Sequence, residues 1–137
     1  MKLMQGRFFD KKGRCSCWIG KTKCSHSELI NYLATYANED GEFNDQIRSE
    51  FGENFLINGY DDDFFYIELH EPSNELKTFF PTSNIPNKEL ADQCGEMLDD
   101  YYNCSIFILG IEYDGLIKEY IHPKYGYFKF LGTKKIR

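Results

Sequence analysis

The sequence lacks any long apolar run: no stretch of its 137 residues approaches the roughly 18 apolar residues of a membrane-spanning helix. Its first 15 residues lack the apolar centre of a secretory signal. There is no internal repeat, low-complexity tract, glycine-rich phosphate loop or basic stripe. We therefore expect one cytoplasmic domain over residues 1–137, with no membrane partner.

Complete internal disulfide pairing is excluded, because the chain has five cysteines. Cys15, Cys17, Cys24 and His26 resemble zinc ligands, but tetrahedral zinc needs sulfurs within roughly 4 Å of each other. Residues i and i+2 of a strand have Cβ atoms about 7 Å apart. We predict no zinc or other cofactor, and small buried thiols instead. No cysteine lies in a nucleophile motif, and the three histidines are scattered, which disfavours thiol catalysis.

The charge balance is acidic, with 22 Asp and Glu against 16 Lys and Arg and a net charge of −6. This field repels a phosphate backbone, so we predict no nucleic-acid partner. It attracts basic partners and speeds their encounter. Since nucleases are often basic, an acidic inhibitor of one would be physically sensible.

Period-two alternation over 14–20 predicts a strand. It places Cys15, Cys17 and Ile19 on one face and Trp18 on the other. The other patterns predict helices at 25–37, 44–55 and 87–102, strands at 64–70, 104–113, 115–122 and 125–132, and an irregular segment at 71–86.

The predicted helix at 25–37 begins with Ser25 and Glu28 at the spacing of a capping box. Near the other end of the chain, Asp114-Gly115 and the segment 122–124 separate the last three strand patterns. These short connections predict an α+β fold, with an antiparallel sheet whose C-terminal three-stranded meander is packed by two or three helices.

The acidic run in "GYDDDFFYIELHE" (59–71) admits three interpretations. Calcium loops alternate their ligands with spacers, which this run does not do. Consecutive extended residues point to opposite sides, so only Asp61 and Asp63 could share a face for acid–base chemistry or a metal. A solvated acidic loop and a partner-facing patch are the other two interpretations, and the run alone leaves all three open.

Several motifs together resemble one protein family. They are "WIGK" (18–21), "EDG" (39–41), S-x-F-x₃-F-x₄-YD-x-DF (49–64), "YNCSIFILGIEYDG" (102–115) and "FKFLG" (128–132). Their order and spacing resemble the immunity protein 22 family of bacterial polymorphic toxin systems, over about residues 14–133. The chain departs from that pattern at Asn54, Leu56 and Tyr66.

The resemblance implies a small cytosolic inhibitor without catalysis, which binds a toxin domain encoded in the same genome. Under that interpretation, Tyr60 and Phe64 anchor their segment, while Asp61 and Asp63 cap backbone amides or face a basic toxin. The candidate partner-binding residues are Asp40, Glu42, Tyr60, Asp61, Asp62 and Asp63. A monomer is favoured.

Two other functions stay open at this point. One is an enzyme that uses Asp61 and Asp63 as metal ligands or acid–base groups. The other is an adaptor domain with no toxin partner. An enzyme should show a deep pocket with convergent carboxylates, whereas an inhibitor should show a flatter acidic patch with exposed rings.

Overall fold

A computed structural model describes residues 10–34, 49–57, 60, 65–79 and 88–135, without the side chains of 10–12, 88, 89 and 135. It contains one five-stranded sheet with helices on both faces. In chain order the elements are β1 (Asp10–Lys21), α1 (His26–Leu33), α2 (Glu50–Phe55), β2 (Phe65–Glu75), α3 (Leu76–Phe79), α4 (Lys88–Cys94), β3 (Met97–Ile111), β4 (Glu119–His122) and β5 (Gly126–Lys135).

The strand order is β2-β3-β1-β5-β4, and every neighbouring pair is antiparallel. The predicted α+β class with an antiparallel sheet is therefore confirmed. The neighbour order of the last three strands differs from the predicted meander, because β1 lies between β3 and β5. Strand β1 is apolar on both faces, with Cys15, Cys17, Trp18 and Ile19 all fully buried. A strand that must be covered on both sides belongs in the middle of a sheet.

The two predicted turns behave differently. The β4–β5 hairpin forms, with His122 opposite Gly126. The Asp114-Gly115 turn does not join neighbouring strands. Instead, the Asp114 carboxylate accepts a hydrogen bond from the Leu116 amide at 3.0 Å, a local side-chain turn on the way from β3 to β4.

Each face of the sheet has its own core, as the alternation in β1 predicts. Trp18 lies in the core beneath α1 and α2, which also holds Ile106 and Phe128. Cys17 and Ile19 lie in the second core, beneath α3 and α4. The sheet is therefore the middle layer of three.

Helix α1 begins as its sequence predicts. The Ser25 hydroxyl accepts from the Glu28 amide at 3.2 Å, and the Glu28 carboxylate accepts from the Ser25 amide at 2.8 Å. The bond from the Ser25 amide lowers the pKa of Glu28. The helix ends at Leu33, since Ala34 is extended. The remaining predicted helical residues, 35–37, lie outside the described residues.

The predicted helix at 87–102 is wrong in its second half. Helix α4 ends at Cys94, and Gly95 follows with a φ of +85°, which favours glycine and stops the helix. Strand β3 begins at Met97, which is 60% exposed rather than part of a buried helical stripe.

Other boundaries also differ from the predictions; for example, β4 begins at Glu119 rather than at residue 115. Strand β2 runs to Glu75, and α3 follows it, so 71–79 is regular where an irregular segment was expected. Helix α2 starts at Glu50 with Ser49 as its N-cap, whose hydroxyl accepts from the Gly52 amide at 2.8 Å. Residues 44–48 and 80–87 lie outside the described residues. In the parts that the structure describes, no helix has the length and apolarity to cross a bilayer.

Candidate functional site

Tyr60 joins three elements at one corner of the molecule. Its ring is only 7% exposed and meets the Phe65 ring edge-on, with centroids 6.0 Å apart. Its hydroxyl donates to the Leu33 carbonyl oxygen at 2.5 Å and lies 2.6 Å from the Ser49 hydroxyl. These four residues, the Tyr60 hub, tie the end of α1 to the start of α2 and the start of β2. Tyr60 therefore anchors its segment to α1, α2 and β2, and little of its ring is exposed to a partner.

The other candidate partner-binding residues, namely Asp40, Glu42, Asp61, Asp62 and Asp63, lie outside the described residues, as does Phe64. The residues that flank these two acidic segments are described. Ala34 and Ser49 flank the first segment, and Tyr60 and Phe65 flank the second. All four are in the Tyr60 hub or adjoin it. Both acidic segments therefore enter and leave the described structure at one corner.

The four residues that resemble zinc ligands are not brought together. Cys15 and Cys17 lie in the core beneath α4, and their sulfurs are 3.9 Å apart. The expectation that strand spacing separates these sulfurs too widely is therefore wrong, since the side chains turn toward each other. The Cys24 thiol and the His26 ring instead bond to backbone oxygens elsewhere, at 3.3 and 3.1 Å. The absence of zinc remains a prediction.

The buried thiols are poorly suited to nucleophilic chemistry. Burial raises the pKa of Cys17 and Cys94, and raises that of Cys104 to about 12. The hydrogen bond from the Cys17 thiol lowers the pKa of Cys15, but Cys15 is fully buried. A reactive thiol has to be both ionised and accessible.

A histidine–carboxylate pair links β4 to α2, and no local pattern in the sequence signals it. The Nδ1 atom of His122 accepts from the amides of Lys124 and Tyr125, at 2.9 and 3.2 Å. Its Nε2 atom therefore carries the proton and donates to Glu50 at 2.6 Å. The ring packs against Tyr125, with centroids 4.7 Å apart, and only 11% of the side chain is exposed. This arrangement pins the β4–β5 turn to α2.

An aromatic and acidic surface lies at the α4 face of the sheet. The rings of Tyr102 and Tyr127 are nearly parallel, with centroids 6.4 Å apart. The Tyr102 hydroxyl donates to Asp99 at 2.6 Å, and the Tyr127 hydroxyl donates to Glu119 at 2.5 Å. The pKa of both tyrosines is raised. Burial is the larger cause, and the hydrogen bonds to the carboxylates are the second. We call these four residues the tyrosine–carboxylate network.

Two lysines complete the network. The Lys129 ammonium bonds to Asp99 at 2.8 Å, and this bond lowers the pKa of that carboxyl group. Lys21 pairs with Asp100, and its ammonium lies 5.5 and 5.8 Å from the centroids of the two tyrosine rings. Sequence reasoning missed this surface because it assigned residues 99 to 102 to a helix.

These features define a class of protein first. Within the described ranges, no group of His, Cys, Asp and Glu side chains is placed to hold a metal ion. The charged side chains described above pair with one another at the surface. They define an α+β domain whose helices cover both faces of one antiparallel sheet.

The family follows from comparison with known proteins. The chain belongs to the family Immunity protein 22, whose model matches residues 15–135. The resemblance inferred from the sequence motifs is confirmed. No curated protein and no solved structure matches the chain.

Proposed function

We propose that this protein is an immunity protein that binds a cognate bacterial toxin domain in the cytoplasm and neutralises it. The observation that carries the proposal is the family match, which covers residues 15–135. The protein would act as a stoichiometric inhibitor, with no catalysis, metal or cofactor.

We further propose that the toxin meets an acidic surface formed by Asp40, Glu42 and Asp61 to Asp63, held in place by Tyr60. The Tyr60 hub supports this, because it fixes the described ends of both acidic segments at one corner. The net charge of −6 supports it too, since an acidic protein steers a basic partner toward itself. Steering raises the association rate, which suits an inhibitor that must act before a few toxin molecules cause damage.

Co-expression tests the function itself. The toxin domain encoded beside this protein is expressed in a sensitive host, with and without the protein, and the purified pair is examined for a complex. We expect protection and a complex of nanomolar or tighter affinity. Equal killing in both cultures, together with no complex in vitro, would refute the immunity function.

Charge reversal tests the acidic surface separately. The variant Asp61→Lys with Asp63→Lys should lower the association rate by roughly tenfold or more and weaken its salt dependence. A matched control is Glu71→Lys with Glu96→Lys, which makes the same change in net charge at two exposed described positions. If the control lowers the rate equally, the effect belongs to net charge, and the acidic segments are not the interface.

A further inference from the structure

Three lysines line one groove of about 450 Å³, although the protein as a whole is acidic. Lys21, at the end of β1, Lys23 and Lys124, from the β4–β5 turn, all line it. Lys21 is paired with Asp100, whereas Lys23 and Lys124 make no ion pair with any described residue. We call this feature the lysine groove. The Lys124 ammonium lies over the Tyr125 ring, 5.1 Å from its centroid. Since neither ammonium is in an ion pair with a described residue, both can meet an incoming anion.

Hydrogen bonds fix the floor of the lysine groove. They join the residue after β1 to β3 and to the residue before β5. The Thr22 amide donates to the Asn103 side-chain oxygen at 2.9 Å, and the Asn103 amide group donates to the Thr22 carbonyl at 2.8 Å. The Thr22 hydroxyl donates to the Tyr125 carbonyl at 2.7 Å. The groove is therefore formed before any ligand arrives, which reduces the entropic cost of binding.

The position of the β4–β5 turn depends on a glycine. Gly126 has a φ of +118°, and a Cβ atom there would overlap the backbone oxygen of Lys21. The close approach of these two backbones brings Lys124 to the same groove as Lys21 and Lys23.

The walls of the groove are apolar. Tyr101 is 58% exposed, and it lines the groove together with Pro72 and Pro123. An exposed aromatic ring beside ammonium groups suits a ligand that combines carboxylates with an apolar or aromatic side chain.

We infer that the lysine groove docks an acidic segment of a protein partner, with carboxylates on Lys23 and Lys124 and an apolar side chain against Tyr101. A protein segment fits better than a nucleic acid for two reasons. The net charge of −6 repels a long phosphate backbone but tolerates one or two local carboxylates. Among the described residues that line it there is also no arginine, the residue that binds phosphate with two parallel hydrogen bonds.

This site is separate from the proposed acidic surface. The groove adjoins the start of α1, where the Cys24 thiol donates to the Lys124 carbonyl, whereas the Tyr60 hub adjoins the end of that helix. The eight residues of α1 place about 12 Å between them. The inference does not depend on the identity of the partner that meets the acidic surface.

A pair of peptides tests the inference. The probes are acetyl-Glu-Glu-Tyr-Glu-Glu-amide and its counterpart with glutamine in place of every glutamate. Titration of the full-length protein is followed by NMR chemical shifts and calorimetry. We expect the glutamate peptide to bind with an affinity on the order of millimolar, at least about tenfold tighter than the glutamine peptide, and to shift the signals of Lys23 and Tyr101. Added salt should weaken it.

Variants locate the binding. Lys23→Glu with Lys124→Glu should lower the affinity at least about tenfold, while Lys77→Glu with Lys118→Glu, which makes the same change in net charge at exposed positions, should lower it much less. Tyr101→Ser should weaken binding without changing the circular dichroism spectrum.

Three results would each overturn the inference. They are equal binding of the two peptides, equal losses in the two double variants, and a short oligouridylate that binds the groove more tightly than the glutamate peptide. The last would indicate a phosphate site instead.

Discussion

Replacement of Trp18 is the sharpest test of the core on the α1 face. The side chain is fully buried, and its ring contacts four others, with centroids 5.1 Å from Phe51, 5.8 Å from Phe55, 5.6 Å from Tyr113 and 5.1 Å from Phe130. These neighbours come from α2, the β3–β4 connection and β5. Trp18 therefore holds together elements that are distant in the sequence.

The cost of Trp18→Ala follows from this packing. Truncation of a buried Trp or Phe to Ala costs about 3–5 kcal/mol, because transfer free energy is lost and a cavity remains. We expect a value at the upper end, since the surrounding rings are large and cannot easily fill the gap. A natural domain has about 5–15 kcal/mol of stability in total, so a loss near 5 kcal/mol removes from about a third to all of it.

Trp18→Phe should behave very differently. The indole Nε1–H is buried without a hydrogen-bond partner in the described structure, and such a donor costs about 1–3 kcal/mol. The smaller ring removes that cost but opens a cavity worth on the order of 1 kcal/mol. The two effects oppose each other, so the variant should be at least as stable as the original and at most about 2 kcal/mol more stable.

Urea unfolding followed by far-ultraviolet circular dichroism measures both variants. Fluorescence cannot be used, because Trp18 is the only tryptophan. A loss below about 1 kcal/mol for Trp18→Ala would refute the packing argument. Equal losses for Trp18→Ala and Trp18→Phe would refute the argument about the unpartnered N–H. Unchanged stability with lost partner binding would place Trp18 at the interface instead.

Three further predictions concern single contacts. Tyr60→Phe leaves the Leu33 carbonyl and the Ser49 hydroxyl without this partner. Urea unfolding should therefore show a free energy of unfolding lower by about 1–3 kcal/mol. An unchanged value would contradict the role of the Tyr60 hub. The pKa of Asp99 is lowered by Lys129, so its contribution to stability is present above the ordinary carboxyl pKa and is lost as the pH falls through the lowered value. Asp99→Asn should therefore flatten the acid limb of a stability–pH curve, by less than about 1 kcal/mol since the group is 62% exposed, and an unchanged limb would exclude this role. Gly126→Ala should cost at least about 2 kcal/mol in thermal unfolding, because of the clash with Lys21 and the positive φ, and a neutral result would contradict the close approach.

Local signals in the sequence predicted local structure well. The Ser25–Glu28 capping box fixed the start of α1, because both of its hydrogen bonds form within four residues. Alternation in β1 predicted which residues enter which core, because the side-chain period of a strand is two. Neither signal depends on distant parts of the chain.

Strand order could not be predicted in this way. The short connections suggested that the last three strands are neighbours, but β1 inserts between β3 and β5. The signal that was available is the burial of both faces of β1, which is typical of a central strand. The register that sets Ile106 opposite Trp18 is a pairing between residues far apart in the chain, and period-two patterns contain no information on it.

The helix predicted at 87–102 failed for a related reason. Leu90, Cys94, Met97 and Leu98 satisfy helical spacing, but a short apolar set can also satisfy a strand. Gly95 decides between them, because its positive φ ends the helix before the pattern is complete. The error hid the tyrosine–carboxylate network and the exposed ring of Tyr101.

Several of the residues that connect this chain to its family belong to the framework. Trp18, Phe51 and Phe55 are fully buried, and Tyr60 is 7% exposed. A pattern made of core residues identifies a fold, because packing constrains those positions whatever the protein binds. It does not identify a partner, since recognition depends on groups that reach the surface. Specificity for one toxin should therefore be sought in exposed residues outside the motif core, and swapping Trp18, Phe51 or Phe55 for the equivalent residues of a relative should change stability but leave the choice of toxin unchanged.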